Sequence, residues 1–122
     1  MATKKKVSRS TSRLTGKAPR RILVLDVGGS HVKLHIGSRG TAQKFVSGPK
    51  MTPQQMVKGV QKRVDPKEFD AVSIGYPGVV FRGRIAAEPF NLGRGWVGFD
   101  FEAALGKPVR IINDAEIGRA HV

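Results

Sequence analysis

Four consecutive apolar residues, Ile22 to Leu25, lead into Asp26, a Gly28-Gly29 pair and Ser30, after which Val32, Leu34 and Ile36 alternate with His31, Lys33 and His35. An unbroken apolar run reads as a buried strand and a period of two as a half-buried one. The stretch from Arg21 to Gly37 therefore predicts a strand, a glycine turn and a return strand. Thr41 to Ser47 predicts a third strand, ending at Gly48-Pro49. Thr52-Pro53-Gln54-Gln55 then opens a helix: Thr52 can cap it, Pro53 suits the first helical position, and Gln55 completes a capping box. Met56, Val57, Val60 and Val64 recur at helical spacing, and Asp65-Pro66 stops the helix, because proline disfavours helical geometry in the residue before it.

Asp70 to Ile74 predicts a fourth strand, which runs into Gly75-Tyr76-Pro77-Gly78. Val79 to Phe81, a bend at Arg82-Gly83-Arg84 and Ile85 to Ala87 predict a short hairpin. Pro89 to Gly95 reads as loop, with Trp96 and Phe99 as apolar anchors. Asp100 can cap a short helix through Leu105, which Gly106 and Pro108 end. Val109 to Ile112 predicts a last strand that delivers Asn113 and Asp114 at its carboxyl end. Strands interleaved with helices in this order predict an α/β fold with a mixed sheet, whose strand ends and turns gather at one edge.

Composition narrows the class. A chain of 122 residues suits one compact domain. It has no cysteine, which excludes a disulfide framework and a thiolate zinc site. No apolar run approaches the roughly 18 residues that cross a bilayer, so a soluble, cytoplasmic chain without membrane contact is expected. The net charge is +13, and Lys4, Lys5, Lys6, Arg9, Arg13, Lys17, Arg20 and Arg21 supply much of it from the first 21 residues, where there is no acid. Residues 1–20 are expected to form a disordered basic tail. Such a tail serves as a solubilising extension or binds nucleic acid or another polyanion non-specifically through counterion release.

Candidate chemistry sits at the turns. A glycine pair admits positive φ and removes side chains, so Gly28, Gly29 and Ser30 can bring N–H groups to an anion; a plain hairpin turn explains the pair equally well. A carboxylate at the end of the first strand, Asp26, could hold a metal ion beside that anion. Asp114 is either a base or a helix N-cap. His31 and His35 share a strand face, but their Cα atoms lie roughly 13 Å apart at that spacing, too far to share a metal ion, and both are expected to face solvent. Lys33 and Arg94 could attract a polyphosphate or nucleotide, or be ordinary surface charge. The turn at Gly28-Gly29 is neither GxGxxG nor GxxxxGK[ST], which disfavours those nucleotide folds.

Three separated features, Asp26-Val27-Gly28-Gly29-Ser30-His31-Val32-Lys33, Gly75-Tyr76-Pro77-Gly78 followed by Asn91-Leu92 and Trp96, and Asn113-Asp114-Ala115, together resemble the ROK family of sugar kinases and repressors, in particular its polyphosphate glucokinase-like branch. The resemblance covers residues 21–115 and implies the first lobe of an actin-like, ribonuclease-H-like kinase that acts as a homo-oligomer. It implies transfer of a phosphoryl group from ATP or polyphosphate to a hexose such as glucose. Asp26 would then position Mg2+ through water, and Gly28, Gly29, Ser30 and Lys33 would meet the donor phosphates. Gly78, Asn91 and Asn113 would contact the sugar, and Asp114 would take the proton of the attacking hydroxyl.

The chain also departs from the family pattern. The second phosphate motif, the glutamate and histidine that complete the sugar site, and the cysteine-rich zinc segment of many members are not present. The basic tail is too short and too polar for the helix-turn-helix of the family's repressors. Residues 116–122 are atypical: Ile-Gly-Arg-Ala-His-Val can be encoded by ATC GGA AGA GCA CAC GTC, one frame of a common sequencing adapter, so a non-native read-through is expected there. An inactive lobe is the expectation for the chain alone, with a small polyanion-binding module or a non-functional fragment as the alternatives.

Overall fold

The computed structural model describes residues 21–37 and 39–113, with the side chains of residues 39–41 left aside. The basic tail, Asp114 and residues 116–122 lie outside the described residues.

Among the described residues, seven strands and two α-helices follow one another as β1 (Ile22–Val27), β2 (His31–Ile36), β3 (Arg39–Val46), α1 (Pro53–Gln61), β4 (Ala71–Tyr76), β5 (Val80–Phe81), β6 (Arg84–Ile85), α2 (Phe101–Leu105) and β7 (Val109–Asn113). Five strands form a mixed sheet in the order β3-β2-β1-β4-β7, and β5 and β6 form a separate hairpin. β1 pairs antiparallel with β2 and parallel with β4, while β4 pairs parallel with β7. No described helix is long and apolar enough to cross a membrane.

Strand alternation decides which side is covered. Leu23, Leu25 and Val27 of β1, Val32 and Leu34 of β2, and Val72, Ile74 and Tyr76 of β4 are buried on one face, together with Met56, Val57 and Val60 of α1 and Phe101 and Leu105 of α2. Truncating a core leucine such as Leu25 to alanine costs about 2–5 kcal/mol. The residues between them point to the other face, where Ile22, Val24, Asp26, His35, Ser73 and Ile112 are half-buried and Lys33, Lys44 and Arg110 are exposed.

The capping box at Thr52 forms as its spacing predicts: the hydroxyl accepts from Gln55 N at 3.2 Å, and Gln55 Oε1 accepts from Thr52 N at 3.0 Å. α1 stops earlier than expected, at Gln61, because Asp65 starts a structure of its own. Asp65 caps a 3-10 turn over Pro66–Glu68, accepting from Lys67 N at 2.8 Å, while Glu68 Oε2 accepts from Asp65 N at 3.1 Å. Val64 is still buried, as the core face of the helix predicts. α1 comes close to the sheet at Gly59, where a Cβ would stand 2.7 Å from the Phe45 ring.

Several boundaries differ from expectation. β1 continues through Asp26 to Val27, β3 begins at Arg39, and β4 runs through Gly75 to Tyr76, so half of the anticipated Gly75–Gly78 turn is strand. Trp96 is fully buried among aromatic neighbours, with ring centroids 5.8 Å from Tyr76 and 6.1 Å from Phe101, and Phe99 is half-buried.

Candidate active site

Parallel pairing sets the carboxyl ends of three strands side by side. Asp26 of β1 pairs with Gly75 of β4, and Tyr76 of β4 pairs with Asn113 of β7. The turns that leave β1 and β4 therefore emerge at one edge of the sheet, where open α/β sheets bind their ligands.

The turn after β1 is braced from two directions. Gly28 N donates to His31 O at 2.9 Å, Ser47 N donates to Ser30 O at 2.8 Å, and the Ser47 hydroxyl donates to Gly28 O at 2.7 Å. Ser47, just past β3, thus fastens the turn. Neither Gly28 nor Gly29 has a positive φ, so the reason for glycine here is space and not backbone angle. A Cβ on Gly28 would stand 3.0 Å from His31 O, and one on Gly29 would stand 2.9 Å from Asn91 Cβ.

Asp26, Gly28, Gly29, Ser30, His31 and Lys33 line a shallow hollow of about 350 Å3 over this turn. Asp26 and Lys33 face each other across β1 and β2, yet the Arg21–Asp70 pair is the one salt bridge among the described residues. The half-buried Asp26 carboxylate makes no hydrogen bond to any described group, and Lys33 is exposed. His31 and His35 are half-buried and not fully solvent-facing as expected. His31 lines the hollow, and His35 Nδ1 lies 2.6 Å from Gly37 O, to which it can donate.

The second group of candidates forms around Gly78. Asn113 Nδ2 donates to Gly78 O at 2.7 Å, joining the end of β7 to the turn after β4. A Cβ on Gly78 would press on the Tyr76 ring at 2.8 Å, so this glycine also makes room for a neighbour. The Tyr76 hydroxyl donates to Ala87 O at 2.8 Å, and burial, helped by Glu88, pushes its pKa up to about 12.

Asn91 is exposed in the loop between β6 and α2 and rests against Gly29. That loop is held by a residue the sequence does not mark. Glu88 Oε1 accepts from Gly95 N at 2.9 Å and Trp96 N at 3.1 Å, and Oε2 accepts from Val97 N at 3.1 Å. Partial burial works against the Glu88 charge, but the three N–H donors and nearby Arg94 outweigh it and hold the carboxyl below the usual glutamate range. Arg94 itself is exposed. Ser47 and Glu88 are an ordinary strand-end serine and a lone loop acid in the sequence, and only their distant partners single them out.

A larger cleft of about 640 Å3 lies between α2, β7 and the β5–β6 hairpin, lined by Ile85, Trp96, Phe99, Phe101 and Ile111 among others. It shares no residue with the hollow over the glycine turn. The candidate residues thus fall into a hollow containing Asp26, Gly28, Gly29, Ser30 and Lys33, a contact from it to Asn91, and a hydrogen-bonded pair of Gly78 and Asn113. Among the described residues, no three histidine, aspartate or glutamate side chains come together as a metal cage.

No protein-family model matches the chain, and no curated protein matches it. Solved structures do. The inorganic polyphosphate/ATP-glucomannokinase of Arthrobacter sp. strain KM superposes with a TM-score of 0.64 at 23% identity, over 80% of this chain and 45% of that one. A ROK family glucokinase of Streptomyces griseus, solved with glucose and AMPPNP, superposes with a TM-score of 0.59 at 21% identity, over 78% of this chain and 33% of that one. The chain therefore spans less than half the length of the structures it matches. At these identities the likeness establishes architecture, and the described residues have the actin-like, ribonuclease-H-like α/β lobe fold of these sugar kinases.

Proposed function

We propose that the chain is the N-terminal lobe of a ROK-family sugar kinase of the glucokinase type, which transfers a phosphoryl group from ATP or polyphosphate to a hexose such as glucose. The observation that carries this reading is the gathering of the glycine turn, Gly78, Asn91 and Asn113 at one carboxyl edge of a sheet with the sugar-kinase fold. The residues of the hollow suit the donor end: Gly28, Gly29 and Ser30 leave space for phosphate, and exposed Lys33 supplies positive charge.

Mg2+ fits beside them. Asp26 offers a carboxylate without a described partner, and magnesium habitually takes one or two carboxylates together with water and substrate phosphates. The ion would balance charge on the donor phosphates. On the sugar side, Asn113, fixed to Gly78, and Asn91 are the hydrogen-bonding side chains. Asp114 accepts the proton of the attacking sugar hydroxyl as that oxygen bonds to phosphorus and the donor's bridging P–O bond breaks. Alignment and charge balance supply most of the acceleration in such reactions.

The intact enzyme is cytoplasmic and a homo-oligomer in this reading, and the basic residues 1–20 add non-specific affinity for polyanions. The 122-residue chain by itself turns over no glucose, because the proposed residues furnish one side of a two-sided site. Amide NMR tests the assignment directly. AMPPNP with Mg2+, or inorganic tripolyphosphate, should shift the signals of Gly28, Gly29 and Ser30, and glucose those of Gly78, Asn91 and Asn113. Glucose phosphorylation by the purified chain would overturn the inactivity, and silence at the glycine turn with both donors would overturn the kinase reading.

A further inference from the structure

The loop from Glu88 to Val97 has no regular secondary structure, yet it carries Asn91 to the glycine turn. Its middle and far end are pinned by burial: Leu92 and Trp96 are in the core, and Gly93 N donates to Met51 O at 2.8 Å. Asn91 itself is exposed and makes no hydrogen bond to a described group, so its contact with Gly29 depends on how the loop closes around it. One side chain closes it. The Glu88 carboxylate collects three successive backbone N–H groups, those of Gly95, Trp96 and Val97, at 2.9, 3.1 and 3.1 Å. Successive N–H groups turned the same way form a nest for an anion, and here the chain's own carboxylate fills it. Hydrogen bonds to a charged acceptor are about twice as strong as neutral ones. Just before it, the Tyr76 hydroxyl fixes Ala87 O, so the loop starts from a rigid point at the end of β4.

The geometry points to Glu88 as the positioning residue of the sugar side of the site: by tying the start of the loop to its end, it holds Asn91 against the phosphate turn at Gly29. What Asn91 does there rests on the sugar-kinase reading; that Glu88 holds it there does not.

Amide hydrogen exchange and glucose titration, both followed by NMR on the 122-residue chain, separate the two claims. Glu88→Gln keeps the size and removes the charge, and Glu88→Ala removes the side chain. Both should speed exchange at Gly93, Gly95, Trp96 and Val97 by about tenfold or more and shift the Asn91 amide signal, while leaving the amides of β1 and β4 at wild-type rates. Glucose should shift Gly29 and Asn91 in the wild type and bind Glu88→Gln about tenfold more weakly, an effect that a purely structural loss would not confine to this loop. Unchanged exchange at Gly93 together with an unmoved Asn91 signal in both variants, or exchange raised equally across β1 and β4, would overturn the positioning role. Equal glucose affinity in wild type and Glu88→Gln would also overturn it. No glucose response in the wild type would overturn the sugar-kinase reading, and the exchange rates would still decide whether Glu88 holds the loop.

Discussion

Asn113, the last residue of β7, donates its side-chain N–H to the carbonyl of Gly78 at 2.7 Å, joining the end of a strand to a turn 35 residues earlier in the chain. A carbonyl can only accept, so the bridge needs a donor at this position. Asn113→Asp puts an acceptor against an acceptor and should cost about 1–3 kcal/mol, measurable as a lower urea midpoint with an unchanged slope. An unaltered midpoint would mean that the bridge contributes nothing.

The contact between Gly29 and Asn91 predicts a coupled pair. A methyl at position 29 would meet Asn91 Cβ at 2.9 Å, which is closer than two such carbons approach. Gly29→Ala should destabilise by about 1–3 kcal/mol. Asn91→Gly removes the opposing Cβ, so Gly29→Ala should cost much less in that background, with a coupling of about 0.5–3 kcal/mol in a double-mutant cycle. Strict additivity would show that the loop moves aside freely.

A similar conflict between space and propensity occurs at Gly59. Alanine in the last turn of α1 gains at most about 1 kcal/mol of helix propensity, but its Cβ would stand 2.7 Å from Phe45, and overpacking costs about 1–3 kcal/mol. The clash should win, so Gly59→Ala lowers the melting temperature. In a Phe45→Leu background the sign should reverse, because the ring edge that meets the methyl is gone.

Acid sensitivity follows from two carboxylates. Glu88 lies below the usual glutamate range for the reasons above, and Asp70 lies below the usual aspartate range because the Arg21 side chain and backbone N–H bond to it. A group lowered on folding contributes fully above its unfolded value, about 4.3 for glutamate, and loses that contribution as pH falls through the folded value. Trp96 is the single tryptophan, and its backbone N–H is one of the Glu88 donors. Its emission should therefore hold steady through pH 5 and change as the solution is acidified further. In Glu88→Gln the change should be present at neutral pH, and a wild-type curve that Glu88→Gln reproduces would exclude this origin.

The strands and caps were legible where the determinants are neighbours. The β1–β2 alternation, the Thr52 capping box and the Asp100 cap with Gly106 behind it each depend on residues within a turn or two. The end of α1 was misplaced because Asp65-Pro66 reads as a stop, whereas Asp65 and Glu68 build their own capped turn and the helix yields before it. At the site, the sequence pointed to Gly28 and Gly29 for their backbone freedom, and the structure uses them for clearance instead. Ser47 and Glu88 could not be singled out, since each acts through backbone groups that the fold brings to it. Sheet order was beyond local pattern for the same reason: β1 finds β4 across the whole of α1.

The two-sided sheet has a consequence for how the protein behaves in bulk. One face is packed, while Ile22, Val24 and Ile112 remain partly open on the other, and Val46 on the edge strand β3 is 73% exposed. Copies of the chain are kept apart by a net charge of +13. That repulsion reaches about 10 Å in 0.1 M salt and only about 3 Å at 1 M, whereas the attraction between apolar faces is not screened. Salt should therefore act on this protein as a precipitant: clear in dilute buffer, it should cloud as ionic strength rises and clear again on dilution.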